Sequence, residues 1–226
     1  MKSKVKNLTQ PFVYGNFEIN QKGSALPWIK GGSAHEIFYG LREDVGKLFL
    51  SSYVCDVANE LSGEGVDNSV MLRLTLNTLY AIMNDLRPLP QIKAVFELRA
   101  AGSSGYMPDL SGCAFCKKEC GEGLYLDVMN GCIICSECMM KRASKAVRHP
   151  LDESEERSVL LPINESVLAA MRYAIYAPGE RMLSFKLNGE EENAMFSRAA
   201  EEYLLNHLER GFSSLEFYKS LLSLKA

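Results

Sequence analysis

Cys113-Ala114-Phe115-Cys116 and, eighteen residues further on, Cys135-Ser136-Glu137-Cys138 are the two stretches that decide how this 226-residue chain is read. Each pair sets two thiols on one tight turn, and two such turns facing each other make the four-sulfur cage that Zn2+ prefers. The residues between them fit a zinc ribbon: Leu124-Tyr125-Leu126-Asp127-Val128 has strand character, and Asn130-Gly131 is a strong hairpin turn. Cys132-Ile133-Ile134-Cys135 repeats the spacing three residues early, which leaves a shifted second pair open. Cys135 and Cys138 are preferred, because Cys138 falls on the turn that opens the next helix while Cys132 lies on the strand leaving the hairpin. Cys120 is spare. Four cysteines also hold iron–sulfur clusters, but the paired spacing and the hairpin favour zinc. A closed four-thiolate site has no open position for water or substrate, so the ion is expected to be structural.

Working outward, the pattern is mainly helical. Helical spacing runs from a capping box at Ser33 to Glu36 through Ile37, Leu41, Val45 and Leu48 to Leu61. Further helices are expected over 68–87, 91–101, 136–147, 165–176 and 191–210, the last closed by Gly211, with a short one from Ser213. Before Ser33, Phe12, Tyr14, Phe17 and Ile19 alternate as in a strand, and a turn-rich stretch from Gln21 to Gly32 contains Trp28. The acidic run Asp152 to Arg157 reads as a connector. The expected organisation is a β segment over 1–32, a helical domain over 33–110 and 141–226, and a four-cysteine zinc insert over 111–140.

Composition excludes several classes. Hydrophobic residues make up 47% and charged residues 23%, which is ordinary for a globular protein and wrong for a disordered or fibrous one. No apolar run approaches a membrane span. No apolar stretch follows the lysines of MKSKVKNLTQPF, so no secretory signal is read and the thiols are assigned to a reducing compartment. Cys55, apart from the cluster, reads as a small apolar side chain in a helix. The net charge of −3 hides a split. Residues 1–32 carry Lys2, Lys4, Lys6, Lys22 and Lys30 against Glu18 alone, the 110–150 stretch is mildly basic, and the remainder is acidic. His35, His149 and His207 stand beside no nucleophile, and no phosphate-cradling glycine loop or HExxH pattern occurs. The acidic run Glu190-Glu191-Glu192 suits a helix start. The sequence offers no active site.

Phe96-Glu97-Leu98-Arg99, then Gly105-Tyr106-Met107-Pro108-Asp109-Leu110 running into Cys113-x2-Cys116, resembles the central signature of the bacterial RecO family of DNA repair and recombination mediators. Gln10-Pro11-Phe12, Gly40-Leu41-Arg42-Glu43-Asp44 and the ending from Glu202-Tyr203 through His207 to Phe217 match in family order. The resemblance implies a non-enzymatic protein with an N-terminal OB-fold, a helical domain and a zinc finger whose ligands are Cys113, Cys116, Cys135 and Cys138. It implies binding to single- and double-stranded DNA, strand annealing, and partnership with RecR and the single-stranded-DNA-binding protein in loading RecA, in a cytoplasmic, nucleoid-associated setting. Gln-Pro-Phe comes well inside the OB-fold in that family but at residue 10 here, so the opening strands of the barrel are expected to be absent.

On this reading DNA is held through its phosphates by Lys2, Lys4, Lys6, Lys117, Lys118, Lys141, Arg142, Lys145 and Arg148. Phe12, Tyr14 and Phe17 could stack on bases, although core positions suit them better. The alternative is a protein-interaction adaptor that keeps the zinc ribbon and the helical body without DNA binding of its own.

Overall fold

The computed structural model describes residues 8–119, 123–148 and 159–224, and for 143–148 the backbone alone. The chain is mainly helical, as its periodicity predicts. Asp44 caps α1 (Val45–Leu61), its carboxylate accepting the Lys47 N–H at 2.8 Å. α2 (Ser69–Met83) follows, and α3 (Leu89–Ser103) begins at the Pro88-Leu89-Pro90 turn, where a proline's missing N–H costs nothing. α4 is Ser136–Arg148. Asn164 caps α5 (Glu165–Tyr176) on the Val167 N–H at 2.8 Å, and Pro178 lies just beyond its end. α6 (Gly189–Leu208) ends with Glu209 in the left-handed conformation, where the sequence pointed to Gly211, and α7 (Ser213–Ser223) closes the bundle.

α3 is the axis of the bundle. Ile92, Ala94, Val95, Phe96, Leu98, Ala100 and Ala101 are all buried, because α1, α2, α5 and α6 pack around it. Alanines on several sides of one helix let neighbours approach on all of them.

The sequence reading of residues 33–37 is corrected. β1 (Val13–Asn20) pairs antiparallel with β2 (Trp28–Ile37), which takes in both the supposed turn-rich stretch after Pro27 and the supposed capping box. The Glu36 carboxylate accepts the N–H of its own neighbour Ile37, and the first helix starts only after a 3-10 turn at Tyr39–Arg42. Phe12 and Tyr14 pack on the helical core, whereas Phe17 is exposed.

The second sheet has the order β3-β5-β4-β6. β3 (Asp109–Cys113) runs parallel to β5 (Cys132–Cys135), and β4 (Leu124–Asp127) is antiparallel to both β5 and β6 (Leu160–Ile163). Alternation along the strands divides the two faces. Leu124, Leu126, Ile133, Leu161 and Ile163 join the helical core, while Tyr125, Ile134 and Leu160 pack with the cysteines on the other side. The expected hairpin at Asn130-Gly131 is present, fixed by buried Asp127, whose carboxylate accepts the Asn130 N–H at 3.1 Å and its Nδ2 at 3.0 Å.

Candidate metal centre and nucleic-acid interface

The two cysteine turns meet at one end of the sheet. In the first, the Lys117 N–H bonds the Cys113 carbonyl at 2.9 Å and the Cys113 N–H bonds the Lys118 carbonyl at 3.2 Å, with Lys117 in the left-handed region at φ +58°. In the second, the Ser136 N–H bonds the Gly123 carbonyl at 2.8 Å, and Cys138 sits on the first turn of α4. Gly123 has φ +72°, and a Cβ there would lie 2.9 Å from that of Ser136.

The Sγ atoms of Cys113, Cys116, Cys135 and Cys138 all lie within 4.8 Å of one another. Cys132 is not in this group, so the sulfurs brought together are those of the unshifted pairing. A tetrahedron with metal–sulfur bonds of about 2.3 Å has sulfur–sulfur edges of about 3.8 Å, and Cys116 Sγ and Cys135 Sγ are 3.8 Å apart. The donor set fits a tetrahedral thiophilic ion. Burial pushes the Cys113 thiol up, but N–H groups of Cys116, Cys135 and Phe115 outweigh it and bring it down to about 6. Burial and the three neighbouring sulfurs push Cys138 up to about 12. The backbone N–H groups thus favour the thiolate form of Cys113, and four sulfur donors gathered this closely suit a cation among them.

Around this centre Lys117, Lys118 and Lys141 are exposed and Arg142 is half-buried. The Arg142 guanidinium lies over the Phe115 ring, 4.7 Å from its centroid. Lys145 and Arg148 lie on the backbone of α4 beyond the described side chains. Lys2, Lys4 and Lys6, like Cys120, His149 and the Asp152 to Arg157 connector, lie outside the described residues.

The signature residues themselves form a structural joint. The Tyr106 N–H bonds the Ala101 carbonyl at 2.9 Å, and the Tyr106 carbonyl accepts the Tyr203 hydroxyl at 3.2 Å. The Asp109 N–H reaches the Gly131 carbonyl at 2.7 Å, and Arg172 holds the carbonyls of Leu110 and Ser111 at 2.7 and 3.1 Å. His207 packs within this joint, its Nδ1 2.9 Å from the Tyr203 carbonyl and its ring tilted against Tyr203.

Two features escaped the sequence reading. One is a buried ionic cluster: Lys93 Nζ contacts Glu97 at 3.0 Å and Glu201 at 2.8 Å, Tyr53 donates to Glu97 at 2.8 Å, and Lys219 reaches Glu201 at 2.8 Å. Its local sign is a Lys–Glu pair four residues apart on a helix whose residues from Ile92 to Leu98 are otherwise apolar. The other is a cleft of about 460 Å³ between α2, α3 and the end of α5, with an apolar floor including Leu74, Leu98 and Met182 and with Arg73 and Arg99 on its walls. Arg99 donates to the Ala177 carbonyl, and its buried Nε has no partner among the described residues. No helix among those residues is long and apolar enough to cross a membrane.

Comparison with known proteins accords with this architecture. The family described as "Recombination protein O C terminal" matches residues 42–216. Proteins named DNA repair protein RecO are similar over most of the chain. The one from Acetivibrio thermocellus is 26% identical over 217 residues, covering 96% of this chain and 80% of its own. That of Alkaliphilus metalliredigens is 27% identical over 213 residues, covering 94% and 80%. That of Dehalococcoides mccartyi strain CBDB1 is 28% identical over 185 residues, covering 78% and 72%.

Proposed function

The chain belongs to the RecO family, and from that membership we propose that it is a non-enzymatic mediator of DNA repair and recombination, which binds DNA, anneals strands and acts with RecR and the single-stranded-DNA-binding protein in loading RecA. In this reading the paired strands β1 and β2, through Ile37, belong to the OB-type barrel, the helices from α1 to α3 and from α5 to α7 to the helical domain, and 111–140 to the metal insert, and the protein works at the nucleoid in the cytoplasm. Zn2+ is the ion assigned to Cys113, Cys116, Cys135 and Cys138. Bound there, it would lock the two turns together and supply no chemistry of its own.

The observation that carries the DNA reading is the placement of Lys117, Lys118, Lys141 and Arg142 around a rigid sulfur centre. Cations held on a fixed frame neutralise phosphates without reading bases, and each phosphate contact releases condensed counterions. DNA affinity should therefore fall steeply with salt. Lys117→Glu with Lys141→Glu should reduce both the affinity and the slope of log K against log salt, measured by fluorescence anisotropy with oligo-dT and with a duplex. An affinity indifferent to salt, or unchanged in the double variant, would remove this reading.

A protein partner, which the mediator and adaptor readings share, draws support from the cleft. Arg73 and Arg99, against Glu180 as the one carboxylate of the described lining, stand above an apolar floor and suit an acidic chain end carrying apolar side chains, the chemistry expected of the tail of the single-stranded-DNA-binding protein. Arg73 is exposed and makes no ion pair among the described residues. Arg73→Glu should weaken binding of such a tail peptide by about tenfold or more, while oligo-dT affinity stays unchanged.

A further inference from the structure

Phe115 occupies an unusual place for a large aromatic residue. It stands between two of the clustered cysteines, and it is 52% exposed although Tyr125, Ile134 and Leu160 offer an apolar surface beside the same cysteines. One face of its ring is covered by the Arg142 guanidinium at 4.7 Å. No carboxylate of the described residues lies within 4.0 Å of Arg142, so among them this guanidinium is stacked and has no ion-pair partner. Lys117 and Lys118 continue the chain just past Phe115, and Lys141 precedes Arg142 on α4.

We infer that Phe115 and Arg142 form a stacking platform for an unpaired base, which makes single-stranded nucleic acid the ligand of this end of the sheet. The inference rests on the DNA reading above and gives it a preferred form. An exposed aromatic ring flanked by lysines is the arrangement that binds a single strand without regard to sequence, since every base presents a π-face while the phosphates meet the cations. Arg142 fixes the ring plane by cation–π contact and keeps donors for a phosphate. The turn is tied by backbone bonds on both sides of Cys113, so the ring is held on a rigid element. A paired duplex keeps its bases in the stack, so there the platform has nothing to bind and the lysines act alone.

The test compares oligo-dT with a duplex of equal length, using the full chain with its metal content measured. Phe115→Ala and Phe115→Leu should each lower oligo-dT affinity on the order of tenfold and leave duplex affinity unchanged. Phe115→Trp in a Trp28→Phe background should retain the affinity and lose fluorescence as oligo-dT is added. Leucine keeps the apolar volume, so an effect shared by Leu and Ala, with metal retained, isolates the aromatic face. If both variants bind oligo-dT as the wild type does while Lys117→Glu with Lys141→Glu weakens it, the platform is wrong and the electrostatic reading stands. An equal loss on oligo-dT and duplex, or no quenching of the tryptophan, also overturns the platform. A wild-type chain that binds neither form overturns both.

Discussion

Lys93 Nζ lies 3.0 Å from the Glu97 carboxylate one turn further along α3, and both side chains are almost wholly buried. The same ammonium reaches Glu201 on α6, which in turn holds Lys219 on α7, so one buried charge ties three helices. Removing one member of such a cluster leaves the others without compensation, whereas replacing both partners by apolar groups is often neutral. Lys93→Met should destabilise the chain by about 3–5 kcal/mol in urea unfolding. The double variant Lys93→Met with Glu97→Leu should recover much of that. Equal loss in the two variants would mean that the packing, not the charge, is what Lys93 supplies.

The cluster also gives stability a pH dependence whose sign follows from Glu97. Burial raises its pKa from 4.5 to about 7, with Lys93 opposing and Glu201 adding to the rise. Between those values the folded chain keeps a proton that the unfolded chain has released. The contribution of Glu97 is therefore fully present below about pH 4.5 and is lost as pH rises through about 7. Glu201 behaves oppositely: burial pushes it up, but Lys93 and Lys219 hold it below its usual range, so its contribution fades as pH falls through that lower region. Glu97→Gln keeps an acceptor for Tyr53 and removes the titration. Stability of the wild type should decline with rising pH between 4.5 and 7 relative to this variant, read from urea midpoints at each pH. Parallel curves would refute the assignment.

How much of this was legible beforehand depends on the range of the signal. The cysteine turns, the Asn130-Gly131 hairpin and the limits of α5 follow from neighbours in sequence: thiol spacing, a residue tolerant of φ +60°, an asparagine cap and a closing proline. Ser33 to Glu36 misled for the same reason. A capping box is a local pattern, while the pairing that makes these residues a strand comes from β1, with Asn16 opposite Ser33 and Tyr14 opposite Glu36. Glu97 was legible as a signature residue, but Tyr53, which donates to it, and Glu201, which shares Lys93 with it, arrive from other helices. Arg73 and Arg99 likewise share a cleft only because α2 packs on α3.

The metal centre can be separated from the spare thiol. Cys132 lies on β5 outside the group of four sulfurs, half-buried, with burial and nearby Asp127 and Asp109 raising its pKa. Cys132→Ser should keep one tightly bound ion per chain, whereas Cys113→Ser or Cys138→Ser should lose it, as judged by metal analysis after dialysis against a mild chelator. Because the sheet face opposite the cysteines is part of the helical core, a stronger chelator should lower the melting temperature of the whole chain, not only melt the cysteine turns. Retention of the ion by Cys138→Ser with loss in Cys132→Ser would move the second pair three residues upstream.

Gly131 is where the sheet meets α6. Its φ is +60°, and a Cβ added there would lie 2.8 Å from the Tyr203 hydroxyl. That hydroxyl is engaged with the Tyr106 carbonyl, so it cannot move aside without breaking a bond inside the joint that links α3, the sheet and α6. Gly131→Ala therefore combines an unfavourable backbone conformation with a steric conflict. The backbone part alone costs about 1–3 kcal/mol. Tyr203→Phe removes the oxygen that the new methyl group would strike, at the loss of one hydrogen bond. If both effects operate, the double variant should be less destabilised than the sum of the two single ones, as a double-mutant cycle in urea measures directly. Strict additivity would leave only the backbone term and would show that α6 yields at Tyr203 without resistance.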